Sequence, residues 1–154
     1  MIWLDVDCVI ADFIGAMEKK LGVLEPGFGY ELGGTFLKEH GICWLELERT
    51  PWAIGLRDHV RSTGLEYAYL TNCIHEDRAF WLGWFDPGCR IVCTNDKGVV
   101  VRKDDILVDD RDDGLDCHLV RVPAKWYTAV RTSDEVLTGI IKGIEEWRTK
   151  CIRS

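Results

Sequence analysis

The residues best suited to chemistry stand in the first stretch, Met1-Ile-Trp-Leu-Asp-Val-Asp-Cys-Val-Ile-Ala-Asp-Phe13, where Asp5 and Asp7 follow the apolar run Ile2 to Leu4. A short apolar run reads as a buried strand, and such a strand carries acids only where the chain leaves the sheet. In extended chain, residues two apart face the same side, so the two carboxylates converge on one small space. Convergent carboxylates repel unless a cation or a shared proton lies between them. The pair predicts a metal-dependent acid/base site. The plainer alternative is a polar turn, which Asp also favours.

Other polar residues stand at comparable places. Thr71 ends the run Tyr67-Ala-Tyr-Leu70, and Asp109 and Asp110 follow Ile106-Leu-Val108. Seven aspartates lie between residues 104 and 116, as in a solvated loop or a divalent-metal site.

The elements that must position these groups can be read in order. Val9, Ile10, Phe13, Ile14, Met17 and Leu21 recur at helical spacing, which predicts a helix over 9–21 stopped by Gly22. Residues 22–35 are rich in Gly and irregular. A second helix is expected over 36–47, broken by Thr50-Pro51-Trp52, and a third from about Pro51 or Gly55 to Arg61, ended by Gly64. Residues 14–64 thus read as a small, mostly helical cap inserted into a single domain over 1–154, and long insertions beside a site commonly act as lids.

From Leu65 onward strand and helix alternate. Strands are expected over 67–71, 90–94, 106–108 and 118–122, with a helix through His75 to Phe85. A capping box, Thr132-Ser-Asp-Glu135, opens a last helix with Val136, Leu137, Ile140, Ile141, Ile144 and Trp147 on one face. The alternation predicts an α/β fold, a Rossmann-like parallel sheet of about five strands covered on both sides. Ligands of such sheets bind beyond the carboxyl ends of the strands, where strand order reverses. Asp5, Asp7, Thr71, Asp109 and Asp110 all fall at strand ends of that kind.

Composition bounds the rest. The 154 residues are 47% hydrophobic and 29% charged, which suits one folded domain. A net charge of −7 argues against a general nucleic-acid-binding surface. No apolar stretch approaches the ~20 residues that span a bilayer. The N-terminal run, interrupted by acids and lacking a basic lead, does not read as a signal peptide. The seven cysteines are scattered without a Cys-x-x-Cys pair, which leaves no zinc-ribbon or thioredoxin-like motif. Cys93 and Cys117 fall in apparent strands and read as small hydrophobes. The cysteine usage predicts a reduced, cytoplasmic protein.

Taken together, these motifs resemble the haloacid dehalogenase superfamily of phosphatases. Asp5-Val-Asp-Cys-Val9 matches its Asp-x-Asp-x-[Thr/Val], Leu70-Thr71-Asn72 its strand-ending Thr, and Leu107-Val-Asp109-Asp110 its paired acids, with a lysine between. Within the superfamily the chain is most similar to the 5'(3')-deoxyribonucleotidases. The stretch Asp5 to Phe13 follows their extended first motif, and Thr94-Asn-Asp-Lys97 before Val108-Asp-Asp-Arg111 follows their Thr-x-Asp-Lys. Cys8 stands where that motif has Gly, and the insertion is short.

The resemblance implies a Mg²⁺-dependent phosphomonoesterase acting on a small phosphorylated substrate, a nucleoside monophosphate above others. Asp5 would be the nucleophile and Asp7 the proton donor and water activator. Lys97, favoured over Lys103 by the motif, would offset charge. Mg²⁺ would be held by Asp5, the Asp7 carbonyl and Asp109 or Asp110, with Asp110 the more direct ligand. Thr71 and Asn72 would bind phosphate, and Asp12 and Phe13 would lie against the substrate, unless Asp12 is part of a helix turn and Phe13 is core. Phe28, Tyr30, Phe36, Trp44 and Trp52 are candidates for stacking on a base, although aromatics are more often core. The competing readings are the same chemistry on a sugar phosphate or nucleic-acid end, and a non-catalytic binding module of the same fold.

Overall fold

The computed structural model describes residues 1–22, 39, 41–71, 76–123 and 132–153. Five strands, β1 (Ile2–Asp5), β2 (Tyr67–Thr71), β3 (Ile91–Cys93), β4 (Ile106–Asp109) and β5 (His118–Arg121), form one sheet in the order β3-β2-β1-β4-β5. Every pairing is parallel. Among the described residues four α-helices with both ends defined accompany it: α1 (Phe13–Leu21), α2 (Ala53–Ser62), α3 (Glu76–Phe85) and α4 (Ser133–Arg153). This is the expected Rossmann-like α/β fold. The chain builds outward from β1 to β2 and β3, then returns to β1's other side for β4 and β5. Strand order therefore reverses between β1 and β4, where such sheets bind ligands.

β1 is buried along its whole length, as a central strand covered on both faces must be. Ile2 and Leu4 face one side with Tyr69, Ile106 and Val108, and join a core that takes residues from all four helices, among them Met17, Leu56, Leu82 and Ile140. Burying a side chain of this size stabilises the fold by ~1.5–3 kcal/mol. Trp3, Ala68, Leu70 and Leu107 face the other side, where Val100, Val101, Leu115 and Cys117 pack on them. Among the described residues, helices thus cover one face and connecting segments the other. Asp86, fully buried, accepts from Tyr69 Oη at 2.7 Å and Tyr67 Oη at 2.9 Å and pairs with Arg61 of α2, tying the end of α3 to β2. The capping box of α4 forms, with Thr132 N 2.7 Å from Glu135 Oε2.

Two helical expectations need correction. The helix expected over 9–21 begins only at Phe13, because residues 6–11 close a tight loop in which Val6 O accepts from Ile10 N at 3.0 Å and Ala11 N at 2.9 Å. Asp12 then caps α1, its Oδ1 accepting from Gly15 N at 2.9 Å. Of the helix expected over 36–47, residues 36–38 and 40 lie outside the described residues, Glu39 is helical, and 41–47 hold only a 3-10 turn, Trp44–Glu46. Past that turn the chain is drawn out along the loop, with Asp12 N to Glu48 O and Thr50 N to Ile10 O both 2.8 Å. Helix α2, read as part of a cap, puts Ala53, Leu56 and Val60 into the main core. Cys93 is exposed rather than buried, and Cys117 precedes β5.

Thr50-Pro51-Trp52, read as a helix breaker, fastens the loop of the first motif. Thr50 Oγ1 and Trp52 Nε1 both donate to Val9 O, at 2.8 and 2.9 Å. Within that loop Cys8 has φ 63°, and it is the one non-glycine residue with positive φ among those described. Glycine adopts this conformation at little cost, whereas a side chain there costs ~1–2 kcal/mol. Cys8→Gly and Cys8→Ala both delete the thiol, so their difference isolates the backbone. Urea unfolding should find the Gly variant more stable by about 1 kcal/mol. A more stable Ala variant would mean that residue 8 carries no backbone strain.

Candidate active site

The carboxyl ends of β1 and β4 lie side by side, since Leu4 is in register with Val108. Their last residues, Asp5 and Asp109, therefore become neighbours, with Asp110 one step beyond. All three are buried. Each can offer one oxygen to a common point, these oxygens lying within 4.8 Å of one another.

Lys97 sits between two of them. Its ammonium is 2.7 Å from Asp5 Oδ1 and 2.5 Å from Asp109 Oδ2. The Thr-x-Asp-Lys stretch explains how a lysine reaches so deep. Thr94 N donates to Thr71 O at 3.0 Å, which continues the β2–β3 pairing past the strand end. Asp96 N donates to Thr94 Oγ1 at 3.1 Å and Gly98 N to Asp96 Oδ1 at 2.9 Å, folding the chain into the 3-10 turn Lys97–Val99. Thr94 and Asp96 are the scaffold of that turn. Lys103 is 79% exposed and lies 3.8 Å from Asp116, so the counter-charge of the cluster is Lys97.

Electrostatics follow from depth. Burial raises the Asp5 pKa well above the usual carboxylate range; Asp109 adds to this and Lys97 opposes it. Burial alone would lower the pKa of Lys97, but Asp5 and Asp109 outweigh it and leave it raised. The Cys8 thiol is pushed up by burial and then by Asp110, Asp7 and Asp5, so it stays protonated at neutral pH and offers no thiolate.

Asp7 stands apart from the trio. Its Oδ2 lies 2.8 Å from Nη2 of Arg78, and its side chain is 34% exposed. Burial raises its pKa, with Arg78 opposing. Arg78, 3% exposed, also donates through Nη1 to Thr71 Oγ1 at 2.5 Å and lies over the Trp44 ring, 4.1 Å from its centroid. The sequence reading gave Arg78 no role. A lone Arg on an expected helix reads as a solvated charge, and no sequence signal marked its contact with Thr71.

The other expected site residues divide. Thr71 is buried at the end of β2 and joined to Asp7 through Arg78. Asn72 lies outside the described residues, as do Phe28, Tyr30 and Phe36. Asp12 and Phe13, expected beside the substrate, are engaged otherwise, Asp12 as the cap of α1 and Phe13 in the core. Trp44 and Trp52 are core residues too. One face of Trp44 is already covered by Arg78.

The cluster fits a hard divalent cation. All three side chains offer carboxylate oxygens, the donors such an ion prefers, and Asp5, Asp109 and Asp110 would hold it.

Removing the ammonium should therefore be costly. Lys97→Met leaves Asp5 and Asp109 buried without their counter-charge, a change worth about 3–5 kcal/mol. The loss should narrow in acid, where Asp5, whose pKa is raised by burial, takes up a proton. Lys103→Met should leave the unfolding midpoint unchanged. Equal effects of the two substitutions in urea unfolding at neutral pH would contradict this assignment. Comparison of the chain with family models, curated proteins and solved structures finds no match.

Proposed function

We propose that the protein is a Mg²⁺-dependent phosphomonoesterase of the haloacid dehalogenase type, turning over through an aspartyl phosphate on Asp5. The observation that carries this reading is the Lys97 ammonium held between Asp5 and Asp109 with Asp110 beside them, at the point where strand order reverses. A carboxylate cannot approach a phosphate dianion without charge neutralisation around it. A bound divalent cation supplies most of that neutralisation and would be held by Asp5, Asp109 and Asp110.

The chain's own groups do the rest. An Asp5 oxygen attacks phosphorus as the bond from phosphorus to the ester oxygen breaks. Asp7 delivers a proton to the departing alkoxide, then takes one from the water that cleaves the acyl phosphate, releasing inorganic phosphate and restoring Asp5. The Thr71 hydroxyl and the Asn72 amide bind phosphoryl oxygens, and Lys97 keeps Asp5 in place. The substrate class favoured by the motif match is a deoxyribonucleoside monophosphate. A sugar phosphate or a nucleic-acid end would use the same groups.

A screen of nucleotides and sugar phosphates tests the reading. Hydrolysis should vanish in excess EDTA and return with Mg²⁺. Full activity in chelator, or none on any ester, would end the proposal. Stability supplies a second check. Because Asp5 and Asp7 have raised pKa values, the metal-free folded state keeps protons that the unfolded chain gives up. The stability they contribute is greatest in acid and declines as pH rises from the ordinary carboxylate value through the raised ones. Mg²⁺ competes with those protons, so the rise in Tm that it produces should grow between about pH 4 and about pH 8. A rise in Tm that shrinks over this range would contradict metal binding at the aspartates.

A further inference from the structure

Arg78 is more deeply buried than Asp5 or Lys97, and the mechanism leaves it unassigned. We propose that Arg78, anchored on the Thr71 hydroxyl oxygen, is a positioning residue that presents Asp7 Oδ1 to the substrate. The inference rests on the phosphatase reading and extends it to a residue that no motif marks.

The argument is one of donors and acceptors. A guanidinium only donates. At 2.5 Å from Nη1, Thr71 Oγ1 must be the acceptor, and its single proton is directed elsewhere. No other described group takes that proton, so it is available to an incoming oxygen. On the other side Nη2 holds Asp7 Oδ2 at 2.8 Å. The remaining oxygen, Asp7 Oδ1, is buried and has no partner among the described residues. A buried acceptor left unsatisfied costs ~1–3 kcal/mol, and a hydroxyl or ester oxygen bearing the transferred proton would satisfy it. The two oxygens of Asp7 thus have separate duties, Oδ2 to fix the carboxyl group and Oδ1 to handle the proton.

The clamp is itself held. Arg78 stacks on Trp44, whose 3-10 turn continues into the pins Thr50 and Trp52. Those pins fasten Val9, two residues after Asp7. Arg78 is thereby fixed relative to the loop it orients. A lysine could not reproduce this, because a single ammonium lacks the planar fork that serves two acceptors at once.

Leaving-group dependence separates this role from a purely structural one and from direct contact with phosphate. A residue acting through Asp7 matters most when the departing alkoxide needs a proton. kcat/KM reports the steps up to release of the alcohol and is blind to later water activation. Arg78→Met should lower kcat/KM for an alkyl phosphate by roughly 10²-fold, within the span of general acid help, but for p-nitrophenyl phosphate by less than about 10-fold. In an Asp7→Asn background the same substitution should add less than about 3-fold on either ester, since residues acting as a unit are not additive. Arg78→Lys should follow the Met pattern and not restore activity; it also carries the test if the Met variant fails to fold. Equal losses on both esters that persist without Asp7 would overturn the proposal in favour of direct phosphate contact, as would full rescue by Lys. Wild-type protein inactive on both esters would overturn the phosphatase reading and this proposal with it, whereas the other adverse outcomes strike Arg78 alone.

Discussion

The site is built around one buried ammonium. Lys97 lies between the carboxylates that end two adjacent parallel strands, and the register of those strands leaves no freedom in how far apart the carboxylates are. Parallel β1 and β4 point their carboxyl ends the same way, so like charges collect at that edge of the sheet and must be neutralised there. A buried ion pair is not by itself a source of stability, because desolvation can exceed the attraction. Its presence at the carboxyl end of an otherwise apolar sheet is better understood as a cost carried for function.

The rest of the structure serves that constraint. The 3-10 turn at Lys97–Val99 is shaped by Thr94 and Asp96 and anchored to Thr71 O, so the lysine is carried by the same strand end that offers the Thr71 hydroxyl. The loop after β1 is fastened by Thr50 and Trp52 at Val9 O and passes through a left-handed Cys8. Arg78 closes the remaining side between Asp7 and Thr71. Two cations thus organise two halves of one cluster, Lys97 for Asp5 and the acids of β4, Arg78 for Asp7 and the end of β2.

What the sequence disclosed divides along physical lines. Strands ending in polar residues were legible because a doubly covered strand tolerates no acid in its middle, and Asp5, Thr71 and Asp109 each sit where an apolar run stops. The sheet followed from alternation, and α4 from its capping box and apolar face. The stretch from Val9 to Phe13 misled because its apolar residues fit helical spacing, whereas backbone hydrogen bonds to Val6 O and the cap at Asp12 delay the helix. Asp12 and Phe13 were placed against the substrate by resemblance alone, and in the fold they take the alternatives also read for them, a cap and a core position. Arg78 was invisible because its meaning lies in a tertiary contact. A single charged residue on a helix carries no periodic signal, and only the folded chain brings it to Asp7.

The central claim is that Asp5 becomes phosphorylated, and trapping that intermediate tests it most directly. Asp7→Asn protein mixed with p-nitrophenyl phosphate and Mg²⁺, quenched in acid within milliseconds to seconds, should carry one hydroxylamine-sensitive phosphate that peptide mapping assigns to Asp5. p-Nitrophenolate needs little protonation to depart, while the missing Asp7 carboxylate slows the water step, so the adduct accumulates. Asp5→Asn protein should carry none. Equal labelling of the two variants, or a phosphate mapped to another residue, would contradict the account.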